Sequence, residues 1–336
     1  MTEAVTGKKA KILSWAGTAA AAGFIVFAIW LFARTLHRYD FGEAMARLTQ
    51  LPSQRILLAC LCVVASYLIQ TGYDYFAAVS VGVDVTPARA SLAAFVGNAL
   101  TNNIGFSLFT GTSVRYRYYL GWGYSPLQIA EIIALAKLAF VNGLFVFAGL
   151  SQIISPIRLP VDLPFSFSPR VMGCALLLPT AGLLLWNGLA RGGTLAVGKF
   201  RLVRPRQTLL ILQIGIACAH FAFAAGTLYY LLPAADLAAG GLSGPLEFLG
   251  TFMAIKFAVM FLPVPGNLGV FEAAGMSILT PALPEYPVLG ALLGYRLAYY
   301  LMPFALALLS MAVYELSARS GFLPSLLRRR RARRIA

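Results

Sequence analysis

Acidic side chains are scarce: the 336 residues hold 12 Asp and Glu against 27 Lys and Arg, and charged residues of both signs make up 12% of a chain that is 59% hydrophobic. A water-soluble fold cannot cover so large a core with so few charges, so a bilayer is the solvent for most of this chain. Histidine is limited to His37 and His220, and the four cysteines, Cys60, Cys62, Cys174 and Cys218, all lie inside apolar runs. Residues 60 and 62 point to different sides of a helix, which speaks against disulfide or metal roles. There is no P-loop, no metal-ligand cluster and no legible nucleophile–histidine pair, so nucleotide-driven work, catalysis in the water phase and a cofactor are not expected. The net charge of +15 does not point to nucleic acid, because the basic residues gather in short segments between apolar runs and in Arg328, Arg329, Arg330, Arg331, Arg333 and Arg334. They read as orientation signals and contacts with anionic membrane lipids.

What is present is long apolar runs. Six are long enough to cross about 30 Å of hydrocarbon: residues 12–33, 56–81, 127–152, 170–190, 209–232 and 287–312. The first follows Lys8, Lys9 and Lys11 but has no A-x-A type site at its end, and it reads as a retained span rather than a signal peptide. Two further stretches, 89–109 and 246–280, are apolar but interrupted, the first by Gly97, Asn98, Asn102, Asn103 and Gly105, the second by Pro263, Pro265, Gly266, Asn267 and Gly269. Each reads as two short helices around a broken centre. The loop 191–208 carries Arg191, Lys199, Arg201, Arg204 and Arg206 without an acid, whereas 233–245 carries only Asp236, which places the former and both termini in the cytoplasm. The loop 34–55 falls outside in this scheme despite Arg34, Arg38, Arg47 and Arg55. Each broken stretch then begins and ends on one side, as a re-entrant hairpin does.

The expected fold is therefore an all-α polytopic membrane domain of six full spans and two re-entrant broken hairpins, followed by a basic cytoplasmic tail at 313–336. The order span, span, broken hairpin, span occurs in 12–152 and again in 170–312 from the opposite side, an inverted-topology repeat. A sequence echo accompanies it: Lys137-Leu138-Ala139-Phe140 matches Arg296-Leu297-Ala298-Tyr299 at an offset of 159, and Gly97-Asn98 matches Gly266-Asn267. Inverted repeats with discontinuous helices are a transporter architecture, because half-helix ends expose backbone groups only where they line a polar cavity. The other reading of these Gly, Asn and Pro residues is that they kink buried helices for packing.

Charges inside apolar segments cost several kcal/mol unless paired or hydrated. Asp74, Glu131, Lys137, Lys256, Glu272 and Arg296 are such charges. Glu131 and Lys137, six apart, face different directions. Lys137 and Arg296 each need an anion, either Glu272 or Asp74 in an ion pair or a ligand phosphate. His220 reads as a helix–helix hydrogen-bonding residue. Arg115, Tyr116, Arg117, Tyr118, Tyr119 and Trp122 form a basic aromatic segment after the first hairpin, suited to interfacial anchoring and, through its two arginines, to holding phosphate.

The segment Gly97-Asn98-Ala99-Leu100-Thr101-Asn102-Asn103-Ile104-Gly105-Phe106, with Gly111, Val114-Arg115-Tyr116-Arg117 and Trp122-Gly123, resembles the flippase region of the bifunctional lysylphosphatidylglycerol flippase/synthetase family. So does Pro263-Val264-Pro265-Gly266-Asn267-Leu268-Gly269-Val270-Phe271-Glu272, where family members often have Gly in place of Asn267. The resemblance runs from the first span to the last and is to the shorter, stand-alone members without a synthase domain. It implies export of aminoacylated phosphatidylglycerol to the outer leaflet of the bacterial inner membrane, with resistance to cationic antimicrobial peptides as the consequence. The expected function is thus a phospholipid flippase, working alone, as a homo-oligomer or beside a separate lipid synthase. Its substrate pathway is expected to involve Asn98, Asn102, Asn103, Arg115, Arg117, Glu131, Lys137, Pro265, Gly266, Asn267, Glu272 and Arg296. The alternative is a membrane-embedded enzyme or accessory subunit of aminoacyl-phospholipid or hopanoid biosynthesis, with Glu131, His220 and Glu272 as its candidate residues.

Overall fold

Leu57, Leu61 and Leu68 recur at helical spacing on one side of a run whose other side carries Ser66, Gln70 and Asp74, and the fold turns that pattern inside out. In a computed structural model, which describes residues 41–104, 110–157, 168–189, 194–197, 200–242, 244–260, 267 and 269–319, this run is a helix with the leucines outward and the polar residues buried. Leu68 is 66% exposed and Ser66 0%. Apolar residues face outward where lipid is the solvent, and polar residues gather inside where they find partners.

The elements, in chain order, are α1 (Phe41–Thr49), α2 (Ser53–Val81), α3 (Pro87–Ile104), α4 (Thr110–Gly121), α5 (Pro126–Ile154), α6 (Pro169–Leu189), β1 (Thr194–Val197), β2 (Phe200–Val203), α7 (Gln207–Leu231), α8 (Ala234–Ala239), α9 (Pro245–Met260), α10 (Val270–Leu279), α11 (Glu285–Tyr295), a π-helical turn (Arg296–Leu301) and α12 (Met302–Arg319). Apart from the short antiparallel hairpin β1–β2 in the basic loop, the described chain is helical. Among the described residues, five helical segments are long and apolar enough to cross a membrane: α2, α5, α6, α7 and the continuous stretch Glu285–Tyr314. They coincide with five of the six expected runs, and the run 12–33 lies outside the described residues. The protein is a multi-pass membrane protein.

Local sequence sets the ends. Ser125 accepts from the Gln128 amide while Gln128 returns a bond to the Ser125 N–H, and Pro126 fills the first helical position of α5. Gly82, in the left-handed conformation, closes α2 by donating to the carbonyls of Ala78 and Val79. Helices α2, α5 and α7 pack on one another as the centre of the bundle, with α6 leaning on α5. The pair α3–α4 packs against α2 and α5, and the pair α9–α10 against α5, α7 and α11.

Four of the five residues expected to interrupt 89–109 do not break a helix, and the fifth, Gly105, lies outside the described residues. Gly97, Asn98, Asn102 and Asn103 sit inside one continuous helix, α3, and the next helix, α4, is the basic aromatic segment itself. The polar residues do not break α3 because they find bonds along or beside it. Thr101 Oγ1 donates to the Gly97 carbonyl and Asn103 Nδ2 to the Ala99 carbonyl, each four residues back. The stretch 246–280 does contain two helices, α9 and α10, and Pro263, Pro265 and Gly266 between them lie outside the described residues.

Candidate functional site

Polar residues at positions 66, 70 and 74 share one face of α2, and the last of them anchors the first cluster. Arg115, from α4, donates through Nε to Asp74 Oδ1 at 2.8 Å and through Nη2 to Oδ2 at 3.0 Å, a two-point pairing in which both side chains are buried. Nη2 also reaches Asn98 Oδ1 at 2.9 Å. A methyl group on Gly97 would lie 2.5 Å from Arg115 Nη1, so glycine is what lets the guanidinium lie against α3. The pair is electrically neutral, but Lys137 on α5 is half-buried within electrostatic range of both members and makes no hydrogen bond or ion pair among the described residues. Asn98 Nδ2 is likewise buried without a hydrogen-bond partner among them. The site thus holds a net positive charge and an unused donor.

The second cluster repeats the pairing with different parts. Arg296, in the π-helical turn, donates through Nε to Glu272 Oε1 and through Nη2 to Oε2 at 2.9 Å, and Nη2 also meets the Asn267 carbonyl at 3.0 Å. Both side chains are buried, 3% exposed or less. Glu272 also accepts from the Gly269 N–H at 3.0 Å, capping the start of α10. Asn267 has φ +50, a backbone region where Gly and Asn are the tolerated residues. That explains the exchange of Gly and Asn expected there. π-turns of this kind concentrate at functional sites.

Between the clusters runs a buried network. Ser66 Oγ lies 3.1 Å from His220 Nδ1 on α7 and 2.8 Å from the Tyr299 hydroxyl, so His220 does tie helices together. Pro303 has no N–H to give to the carbonyl four residues back, that of Tyr299, which accepts from the Tyr67 hydroxyl at 3.0 Å. Asn102 Nδ2 donates to the Tyr67 hydroxyl at 3.2 Å and Asn103 Nδ2 to the Tyr300 carbonyl at 3.0 Å, joining α3 to the π turn. Lys256 Nζ lies 3.2 Å from the Tyr300 hydroxyl among the rings of Phe252, Phe271, Tyr295, Tyr299 and Tyr300.

The expected pathway residues therefore separate. Asn98, Arg115 and Lys137 belong to the first cluster, Asn267, Glu272 and Arg296 to the second, and Asn102 and Asn103 to the network. Arg117 is exposed while Arg115 is buried, because residues two apart on a helix point to different sides, so the two arginines do not act as one phosphate clamp. Glu131 is buried on α5, six residues before Lys137 and about 9 Å along the axis from it. Asp74 pairs with Arg115 rather than with Lys137. Lys256 stands out in the sequence as a charge in an apolar segment, but the rings around it carry no local signal, since they come from α9, α10, α11 and the π turn.

Comparison with known proteins agrees with this membrane architecture. The chain is 32% identical over 308 residues to the uncharacterised protein slr0712 of Synechocystis sp., covering 91% of this chain and 94% of that one. It is 25% identical over 315 residues to inner membrane protein YbhN of Escherichia coli, covering 92% and 93%. With a phosphatidylglycerol lysyltransferase of Staphylococcus aureus it shares 23% identity over 308 residues, which is 90% of this chain but 34% of the larger protein. Residues 15–307 match the model of the lysylphosphatidylglycerol synthase TM region, and the chain belongs to that family.

Proposed function

We propose that this protein moves a phospholipid between the leaflets of the bacterial inner membrane, with aminoacylated phosphatidylglycerol as the first candidate and both termini in the cytoplasm. The observation that carries the reading is the first cluster: a neutral Asp74–Arg115 pair beside half-buried Lys137 and the unused amide of Asn98. A cation and an amide donor without partners among the described residues of an apolar bundle suit a phosphate that enters and leaves. A resident ion pair alone would leave neither over.

Several features support a path shared by two halves. The helices α3, α4, α9 and α10 have 18, 12, 16 and 10 residues. At 1.5 Å per residue that is about 27, 18, 24 and 15 Å, most of them short of a full crossing and suited to re-entrant pairs. Helices α2 and α7, the matching second spans of the two halves, start 154 residues apart, and Ser66 and His220, also 154 apart, meet each other. Contact between equivalent positions is what an inverted repeat produces at its axis. The relatives named phosphatidylglycerol lysyltransferase direct attention to that lipid, which a separate synthase would supply to this chain.

The test is leaflet exchange of labelled lysylphosphatidylglycerol, phosphatidylglycerol and an uncharged diacylglycerol in proteoliposomes. Faster exchange of the phospholipids, and not of diacylglycerol, is the expected result. Exchange of none of them by folded protein would defeat the reading. A membrane-embedded esterase, to which the Ser66–His220 contact draws attention, is less well supported because the Ser66 hydroxyl is wholly buried and committed to Tyr299 and the His220 carbonyl as well.

A further inference from the structure

Lys256, like Lys137, has no carboxylate partner among the described residues, and its surroundings differ in kind from those of Lys137. Five ring centroids lie 5.5–5.8 Å from its Nζ: Phe252 from α9, Phe271 from α10, Tyr295 from α11, and Tyr299 and Tyr300 from the π turn. All five rings are buried to 2% or less, while Lys256 itself is only half-buried. Among the described residues the ammonium makes one hydrogen bond, to the Tyr300 hydroxyl, so two of its three N–H donors have no hydrogen-bond acceptor there. Aromatic faces carry negative charge density, and a box of several rings is the arrangement by which proteins select ammonium groups. The rings hold one another: Tyr295 stacks on Phe271 at 5.1 Å and on Tyr299 at 4.9 Å, so the box does not depend on lysine for its shape. Arg296 lies over Tyr300 at 5.3 Å, but its charge is matched by Glu272 and does not compete for the box.

We infer that the Phe252–Phe271–Tyr295–Tyr299–Tyr300 box is an ammonium-binding site that Lys256 occupies as a tethered stand-in, and that a ligand bearing a primary ammonium group takes its place. The inference rests on the transport reading only for the identity of the ligand as a lipid headgroup. Entry of such a ligand displaces Lys256 toward its exposed side, where its charge becomes available to the ligand's own phosphate. Headgroups with an amine are then favoured over headgroups without one.

The experiment uses purified full-length protein and methylammonium chloride, with sodium chloride at equal ionic strength as control. Lys256→Ala empties the box, and methylammonium is expected to raise its melting temperature saturably, at a half-effective concentration at least about tenfold below that for wild type, in which the tethered amine competes. In the same background, trifluorophenylalanine at position 252 keeps the ring's shape and drains its negative face. It is expected to weaken the methylammonium effect. No difference between wild type and Lys256→Ala, or an effect indifferent to the fluorinated ring, overturns the proposal. Lys256→Ala protein in phosphatidylethanolamine and in phosphatidylglycerol nanodiscs then identifies the source. Stabilisation in the former assigns the box to a lipid headgroup, and stabilisation by methylammonium alone assigns it to a free amine. Because the readout is melting rather than exchange, the site stands or falls separately from transport.

Discussion

The two buried guanidinium–carboxylate pairs do the same mechanical job with their charges reversed. At the first, the long span α2 brings the carboxylate, Asp74, and the short helix α4 brings the arginine; at the second, the short helix α10 brings the carboxylate, Glu272, and the long helical stretch 285–314 brings the arginine. In each an asparagine preceding or opening the short-helix region completes the guanidinium's bonds, through its side chain at Asn98 and through its backbone at Asn267. The requirement common to both is that a helix too short to be held by lipid alone be fixed to a long one by a strong, directional bond. Either sign of charge on the short helix satisfies it. The clusters part company at the lysines near them: Lys137 lies beside a neutral pair with no hydrogen bond or ion pair among the described residues, whereas Lys256 is enclosed by rings.

The largest expected effects come from breaking one partner of a pair. Asp74→Ala strands Arg115 in an apolar interior and should cost about 3–5 kcal/mol of stability, measured by unfolding in detergent. Asp74→Leu with Arg115→Met should recover most of that. The same double replacement at the second cluster, Glu272→Leu with Arg296→Met, should recover less, because Glu272 also caps the Gly269 N–H. Equal recovery at both would mean that the cap carries no weight. For the same reason Arg296→Ala is a poor probe of transport, since it leaves Glu272 buried and unpaired.

Backbone constraints should give smaller losses. Gly97→Ala forces a methyl group against the Arg115 guanidinium and is expected to cost about 1–3 kcal/mol, again read from unfolding. Asn267→Ala should cost about 1 kcal/mol at its positive φ, while Asn267→Gly should be close to neutral. A neutral Gly97→Ala would show that Arg115 has room to shift, and the first cluster would be the looser of the two.

Much of the helical architecture was legible because span length and apolar content are local properties, and five spans coincide with the runs read from composition. Glu272 was legible as one of two candidate carboxylate partners for Arg296, beside Asp74, because few acids lie in apolar sequence, and the sequence did not choose between them. That Asn98, Asn102 and Asn103 lie within a continuous helix was not, since Gly and Asn are breakers only when their polar groups lack partners, and Asn103 finds one four residues back. Asp74 and Arg115 are 41 residues apart on separate helices, and the five rings around Lys256 come from across 49 residues, so only tertiary packing brings either group together. Ser66 and His220 were invisible as a pair for the same reason.

The smallest expected change in stability accompanies the most informative change in function. Lys137→Gln removes a charge that no described residue neutralises, so its stability should stay within about 0.5 kcal/mol of wild type. Leaflet exchange of labelled phospholipid by this variant, compared with wild type and Lys137→Arg in matched proteoliposomes, tests the account most directly. A loss of at least about tenfold is expected in Lys137→Gln, the worth of one charge contact of about 1.4 kcal/mol, with substantial retention in Lys137→Arg. Exchange at the wild-type rate in folded Lys137→Gln would contradict it and remove the first cluster from the lipid's path.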